Sequence, residues 1–229
     1  MKTALTSWAF SAPLLALVLL GVAGTPVRAD AQPSTPSAKA MPSPRKLSQL
    51  LRLFRDSPGV SADYTEEKRI VLLRAPLLSS GSLYYSPQQG LARLVRRPQK
   101  SRLLLTGEQM IVVNRHGRKA IPVQGHEVMR ALVNSFLHVF RGDKAALERS
   151  FRLAFRTEGK GWELLLTART PAVARHIKNI RVAGRGAELR SIGVTETSGD
   201  ATEMRFTKIR PARRFTPAEK NRYFSSAAK

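Results

Sequence analysis

Residues 102–113 read Arg-Leu-Leu-Leu-Thr-Gly-Glu-Gln-Met-Ile-Val-Val. Two runs rich in large apolar residues, 102–105 and 109–113, flank the turn residues Thr106-Gly107-Glu108. Short apolar runs separated by three residues that include glycine are typical of a β-hairpin. The stretch therefore predicts two antiparallel strands near the middle of the chain.

Similar strand signals recur at short, even spacing on both sides of this hairpin. Towards the amino end, Val60, Ala62 and Tyr64 alternate with polar residues, as in a strand with one buried face. Further strands are predicted at 81–85, 91–97, 118–123, 150–157, 162–168, 177–182, 189–196 and 202–209. Such a series of short strands joined by turns favours an antiparallel meander.

Helices are predicted before, within and after this series of strands. Apolar residues follow helical spacing across 47–54, after Ser43 and Pro44, which suit a cap and a first helical position. Residues 126–140 also place their apolar side chains on one helical face. At the carboxyl end, residues 216–219 (Thr-Pro-Ala-Glu) form a capping box. Shorter helical stretches are predicted at 144–149 and after Thr170-Pro171. This order predicts an α+β fold, with one strongly curved antiparallel sheet wrapped around a few helices.

Several of the predicted strands are apolar on both faces. The runs 103–105, 110–113 and 164–166 contain only large apolar residues. An antiparallel sheet with one solvated face should alternate between apolar and polar residues instead. Two interpretations remain: either both faces of the sheet are covered, or the concave face lines an apolar cavity that the helices close only in part.

The amino-terminal residues predict export from the cytoplasm. Lys2 precedes an apolar stretch at 8–24, and Val27-Arg28-Ala29 places small residues at the positions that precede signal-peptide cleavage. We expect cleavage after Ala29, so residues 1–29 form a signal peptide and the protein is periplasmic. Residues 30–44 are rich in Pro, Ser and Ala and predict a disordered linker. Residues 45–224 form a single predicted domain.

The composition limits the class of ligand. The chain has no cysteine, and 39 Lys and Arg residues against 16 Asp and Glu residues give a net charge of +23. For an exported protein, the anionic head groups of membrane lipids are the nearest polyanions. Aromatic residues do not alternate with the basic ones as a nucleic-acid platform requires, so we expect no nucleic-acid partner. Arg93, Arg96 and Arg97 are predicted to dock against an acidic surface, with an ordinary solvated rim as the alternative.

No set of residues with the spacing of a catalytic or metal site was found. The four histidines have no metal-ligand spacing: His116, His126, His138 and His176. Glu66 and Glu67 are adjacent on a strand, point to opposite faces and cannot act together on one substrate. The sequence therefore predicts a protein that is not an enzyme and that needs no metal or cofactor.

The order of motifs resembles that of the LolA-type outer-membrane lipoprotein carriers. The matching segments are 61–66 (Ser-Ala-Asp-Tyr-Thr-Glu), 81–87 (Gly-Ser-Leu-Tyr-Tyr-Ser-Pro) and 98–110, which ends in Thr-Gly-Glu-Gln-Met. Residues 162–167 and 196–200 extend the match to the LolA-like proteins encoded with aryl-polyene biosynthesis enzymes. This resemblance implies an incomplete antiparallel β-barrel, with helices that cover its concave face above an apolar cavity.

The resemblance also implies what such a protein would carry. We expect lipoprotein, lipid or lipid-linked polyene cargo, an inner-membrane exporter as donor, an outer-membrane acceptor, and a monomeric carrier. Ser86 stands where many of the lipoprotein carriers have a basic residue, and Thr106 where they have Asp, so the cargo stays open. The alternative is a basic module that binds membrane surfaces or acidic polymers without a cargo cavity. The residues predicted to line the cavity are Leu83, Tyr85, Leu103, Leu105, Met110, Val112, Met129, Phe136, Phe140, Leu164, Leu166, Met204 and Phe206.

Overall fold

The computed structural model describes residues 43–124, 130, 133 and 137–225. Its strands are β1 (Val60–Arg69), β2 (Leu77–Ser86), β3 (Gly90–Arg97), β4 (Ser101–Leu105), β5 (Gln109–Asn114), β6 (Gly117–Pro122), β7 (Phe151–Glu158), β8 (Gly161–Ala168), β9 (Ile177–Arg185), β10 (Glu188–Glu196) and β11 (Ala201–Arg210). They form one antiparallel sheet in the order β6-β5-β4-β3-β2-β1-β11-β10-β9-β8-β7. Every strand predicted from the sequence is present.

The sheet is an incomplete barrel. Most strands pair with their neighbours in the chain through short turns, and the first strand, β1, also pairs with the last, β11. The consecutive strands β6 and β7 consequently lie at the two opposite edges of the sheet. The chain between them contains helical residues. Residues 137–141 of this helical part are here called the insertion segment. This architecture confirms the predicted α+β fold.

Within the described residues, four further helices accompany the sheet: α1 (Leu47–Arg55), α2 (Lys144–Ser150), α3 (Pro171–Ala174) and α4 (Pro217–Phe224). The start of α1 was predicted three residues too early. Ser43 is not its cap, because its hydroxyl donates to the Lys160 carbonyl at 3.0 Å. Instead the Gln49 side-chain oxygen accepts from the backbone N–H groups of Arg45 and Lys46. At α4 the predicted capping box is present: the Glu219 N–H donates to the Thr216 hydroxyl, and the Thr216 N–H donates to the Glu219 carboxylate.

Helix α1 packs into the concave side of the sheet, here called the inner face. Its buried residues Leu50, Leu51 and Phe54 follow the helical spacing that the sequence predicted. Beside it, Gly142 has a φ of 64° and lies so close that a Cβ atom there would be 2.1 Å from the Leu51 carbonyl oxygen. A side chain at this position would therefore force the insertion segment away from α1.

The outer face of the sheet is also partly covered. Ala92, Leu104 and Ile111 form a small buried cluster there, against which Phe224 of α4 packs. Nearby, the Tyr84 and Tyr223 rings are stacked, with centroids 3.9 Å apart. The carboxyl-terminal helix therefore explains why β4 and β5 are apolar on both faces, as the first of the two interpretations expected.

Some predictions fall on residues outside the described part of the chain. These are the signal peptide at 1–29, all but the last two residues of the linker at 30–44, and most of the helix at 126–140. Among the described helices, none has the length and apolar character needed to cross a bilayer.

Candidate functional site: the inner face of the sheet

The inner face carries the predicted lining residues. Eleven of the thirteen are described, all are buried, and all belong to one apolar cluster: Leu83, Tyr85, Leu103, Leu105, Met110, Val112, Phe140, Leu164, Leu166, Met204 and Phe206. The other two, Met129 and Phe136, lie outside the described residues. Strict alternation along each strand places these side chains on one side, as in β8, where Trp162, Leu164 and Leu166 point inward.

Two small pockets interrupt the packing beneath the helical residues. One, of about 40 Å³, is lined by five of the predicted residues: Leu83, Leu103, Leu105, Phe140 and Met204. The other, of about 10 Å³, is lined by Phe140 and Leu166 among others. At about 10–15 Å³ per molecule, the larger pocket has room for roughly three waters. The described residues thus enclose too little space for an acyl chain in this conformation.

The helical residues close this space through aromatic contacts. Phe140 of the insertion segment stacks on Tyr85 of β2, with ring centroids 4.7 Å apart. Phe54 of α1 lies between Phe140 and Trp162, at centroid distances of 6.0 and 5.8 Å. Such pairs contribute about 0.5–1.5 kcal/mol each beyond the area that they bury. These contacts would have to separate before a long apolar ligand could enter.

A polar cluster on the inner face was not predicted. The Arg93 guanidinium donates to the Glu66 carboxylate at 2.8 Å, to the Ser79 hydroxyl at 3.1 Å and to the Tyr64 hydroxyl at 2.9 Å. The side chains of Arg93 and Glu66 are only 4% and 1% exposed. Arg93 also lines the larger pocket. One end of the largely apolar interior therefore carries a buried Arg–Glu ion pair.

A second buried ion pair lies next to this cluster. Lys68 of β1 is 3.4 Å from Glu196 of β10, and both side chains are less than one-tenth exposed. Burial raises the pKa of Glu196, and the nearby Lys68 ammonium opposes part of that rise. The other carboxylate oxygen of Glu66, Oε2, is buried without a hydrogen-bond partner in the described part of the structure.

The burial of Arg93 corrects one sequence prediction. Arg93 was predicted to lie on a docking rim with Arg96 and Arg97, but it points into the barrel. The other two are exposed on the strand, and Arg96 pairs with Asp63 at 3.1 Å. The physical reason is strand alternation, because Arg93 lies on the same side of β3 as the buried residues Leu91 and Val95.

The alternation of side chains along β1 could also have located the rest of the polar cluster. Tyr64, Glu66 and Lys68 follow Ala62 at every second position of β1, so all four side chains lie on the inner face. Glu67 points outward, as predicted.

Across the described residues, no three His, Asp or Glu side chains are grouped closely enough to hold a metal ion.

Comparisons with known proteins place this fold in a family. One similar solved structure is a LolA superfamily protein from Nitrosomonas europaea, with 8% identity and a TM-score of 0.42, and the match covers 80% of this chain and 97% of that chain. A DUF1329 family protein from Desulfovibrio piger has 11% identity and a TM-score of 0.45, with 75% of this chain and 93% of that chain covered. LprF from Mycobacterium bovis has 8% identity and a TM-score of 0.34, with 76% of this chain and 97% of that chain covered. No curated protein matches. The family model for outer membrane lipoprotein carrier proteins of the LolA-like type matches residues 39–213. The chain belongs to this LolA-like family.

Proposed function

We propose that this protein is a periplasmic carrier that binds a lipid, lipoprotein or lipid-linked polyene in its interior and passes it towards the outer membrane. In this proposal residues 1–29 are a signal peptide that is removed after Ala29, residues 30–44 are a linker, and 45–224 are the carrier domain. The observation that carries the proposal is the apolar inner face, which extends across the open sheet and which, among the described residues, α1 and the insertion segment cover.

The small size of the pockets fits a closed state without cargo. For a cargo chain to enter, α1 and the insertion segment must move away from the inner face, and the Tyr85–Phe140 contact must open. Burial of a chain of about 14 carbons then contributes on the order of 11 kcal/mol, at about 0.8 kcal/mol per methylene. The lost helix–sheet contacts offset part of this free energy, and that offset allows the cargo to be released.

The polar end of the interior favours an amphiphilic cargo. Arg93 and Thr202 line the larger pocket together with apolar side chains. A lipid could place a polar group beside this buried ion pair, whereas a pure hydrocarbon offers no group that can form a hydrogen bond there. We therefore expect the cargo to combine a long apolar chain with a polar group that accepts hydrogen bonds.

Binding of a conjugated fatty acid tests the proposal. Parinaric acid becomes fluorescent when its chain leaves water, and we expect a saturable signal with the purified protein. Met204→Gln places an amide in the pocket lining and should weaken binding by about tenfold, because a buried polar group without a partner costs about 1–3 kcal/mol. Arg205→Gln, on the exposed face of the same strand, is the matched control.

Two outcomes would count against the carrier. The first is a protein that binds no probe and co-purifies with no lipid detectable by mass spectrometry. The second is equal probe binding by the Met204→Gln and Arg205→Gln variants. The double variant Arg96→Glu with Arg97→Glu distinguishes the carrier from the alternative function, a basic surface-binding module. A carrier keeps its affinity for parinaric acid in that variant and loses only its docking to an acidic surface.

A further inference from the structure

The large apolar side chains that are exposed to solvent are concentrated in one hairpin. Among the described residues there are four of these, all in or beside the loop between β1 and β2: Val71, Leu72, Leu73 and Leu78. Leu72 is 92% exposed and Leu78 is 65% exposed. Single exposed apolar residues are ordinary on a protein surface, but a contiguous exposed group marks an interaction site.

The structure holds this loop in a defined conformation. The Val71 N–H donates to the Asp200 carboxylate at 3.0 Å, and the Leu73 N–H donates to the Ile70 carbonyl at 2.9 Å. Gly199 lies against the loop, since a Cβ atom there would come within 3.0 Å of a Val71 methyl group. The neighbouring β10–β11 turn therefore supports the hairpin and presents its tip.

Basic residues surround the tip. Arg69 and Arg74 flank Val71, Leu72 and Leu73 in the sequence, and both arginines are exposed. Arg97 of β3 pairs with Ser80 of β2, which places it two residues from Leu78 along the hairpin. Lys100 lies in the β3–β4 turn at the same end of the sheet. An aliphatic tip beside four exposed basic residues is complementary to the surface of a bilayer that contains anionic lipids.

We propose that the β1–β2 hairpin tip inserts into the interfacial region of an anionic phospholipid bilayer and docks the protein there. The tip has no aromatic side chain of the kind that dominates protein–protein hot spots, and aliphatic side chains need only an apolar medium. Residues 30–229 keep 37 of the 39 Lys and Arg residues and all 16 Asp and Glu residues, and this net charge of +21 adds attraction towards the same surface. This inference does not depend on a cargo, because the hairpin tip, residues 71–78, lines neither of the two pockets.

Vesicle binding by residues 30–229, which include every described residue, tests this inference. The vesicles contain phosphatidylethanolamine, with or without phosphatidylglycerol. We expect binding only when phosphatidylglycerol is present, and affinity about tenfold or more weaker in Leu72→Ser with Leu73→Ser. Leu165→Ser, a half-buried leucine on the outer face of β8, should bind as the unmodified protein does.

Tryptophan fluorescence separates insertion from charge attraction alone. Within residues 30–229 the native tryptophan is Trp162, which is 3% exposed, so Leu72→Trp adds a distinct reporter at the tip. We expect its emission to shift to shorter wavelength on vesicles and to be quenched by brominated lipid chains. The inference is overturned if the protein does not bind these vesicles, or if it binds while the emission of the reporter is unchanged. A protein that inserts into vesicles but does not bind parinaric acid would contradict only the carrier proposal and would leave the docking inference intact.

Discussion

Two triads of similar chemistry bridge the same three strands, one on the inner face of the sheet and one on the outer face. Each joins a carboxylate on β1, a serine on β2 and an arginine on β3: Glu66, Ser79 and Arg93 form the inner triad, and Asp63, Ser82 and Arg96 form the outer triad. The ion-pair distances are alike, 2.8 Å inside and 3.1 Å outside. The exposures differ, since the two arginine side chains are 4% and 54% exposed.

This difference in exposure decides how much each arginine matters for stability. Removal of one partner from a buried pair leaves a charge without compensation, which costs about 3–5 kcal/mol. An exposed pair is screened by water and contributes about 0–1 kcal/mol. The two triads therefore separate the energetic effect of burial from that of hydrogen-bond geometry within one sheet.

Arg93→Met should produce the largest loss of stability. It leaves the Glu66 carboxylate buried and without its cation, so we expect a loss of about 3–5 kcal/mol in the free energy of unfolding, measured with urea. Arg96→Met is the matched control on the outer face and should cost less than about 1 kcal/mol. Glu66→Gln added to Arg93→Met should restore part of the loss, because it removes the uncompensated charge. Equal losses in the two single variants would contradict this assignment.

The same contrast between faces should hold for neighbouring leucines of β8. Leu164 points inward and is fully buried, whereas Leu165 lies on the outer face and is half-buried. We expect Leu164→Ala to cost about 2–5 kcal/mol through lost burial and the cavity left behind. Leu165→Ala should cost less than about 1 kcal/mol. Urea unfolding of both variants measures the difference, and a cost for Leu165→Ala as large as that for Leu164→Ala would show that the outer face is covered here too.

Much of the fold could be predicted because its signals are local. Turns such as Thr106-Gly107-Glu108 and the capping box at Thr216 act within a few residues, so the sequence alone predicts where strands and helices lie. What covers each face of the sheet depends on distant contacts. Leu104 and Ile111 are covered by Phe224, more than 100 positions away in the chain, and no local pattern indicates this pairing.

The apolar part of the site was predictable for a similar reason, whereas its polar part was not. Alternation assigns residues such as Leu164 and Leu166 to one face, whichever face that is. For the charged residues, the general preference for exposure competes with strand parity. For Arg93, strand alternation outweighs the preference for exposure, because Glu66 and Ser79 lie on neighbouring strands of the sheet and their hydrogen bonds compensate the burial of the guanidinium. That compensation requires the strand register, which the sequence does not specify residue by residue.

The outer triad should give a small, pH-dependent contribution to stability. Burial alone would raise the pKa of Asp63, but hydrogen bonds from Ser82 and Arg96 and the nearby Lys208 ammonium bring it below its ordinary value of 3.8. The ionised carboxylate is therefore favoured by folding. Its contribution is complete above the ordinary pKa and is lost as the pH falls through the lowered one.

Asp63→Asn isolates this contribution from those of the other carboxylates. Urea unfolding from about pH 6 to about pH 2 should show the variant less stable than the unmodified protein by less than about 1 kcal/mol at the upper end, with the difference shrinking as the pH falls. High salt should reduce the difference, because the Arg96 and Lys208 side chains are more than half exposed and solvent ions screen them. A difference that grows with acidity would mean that the Asp63 carboxylate is destabilised in the folded protein, and the outer triad would then resemble a buried pair after all.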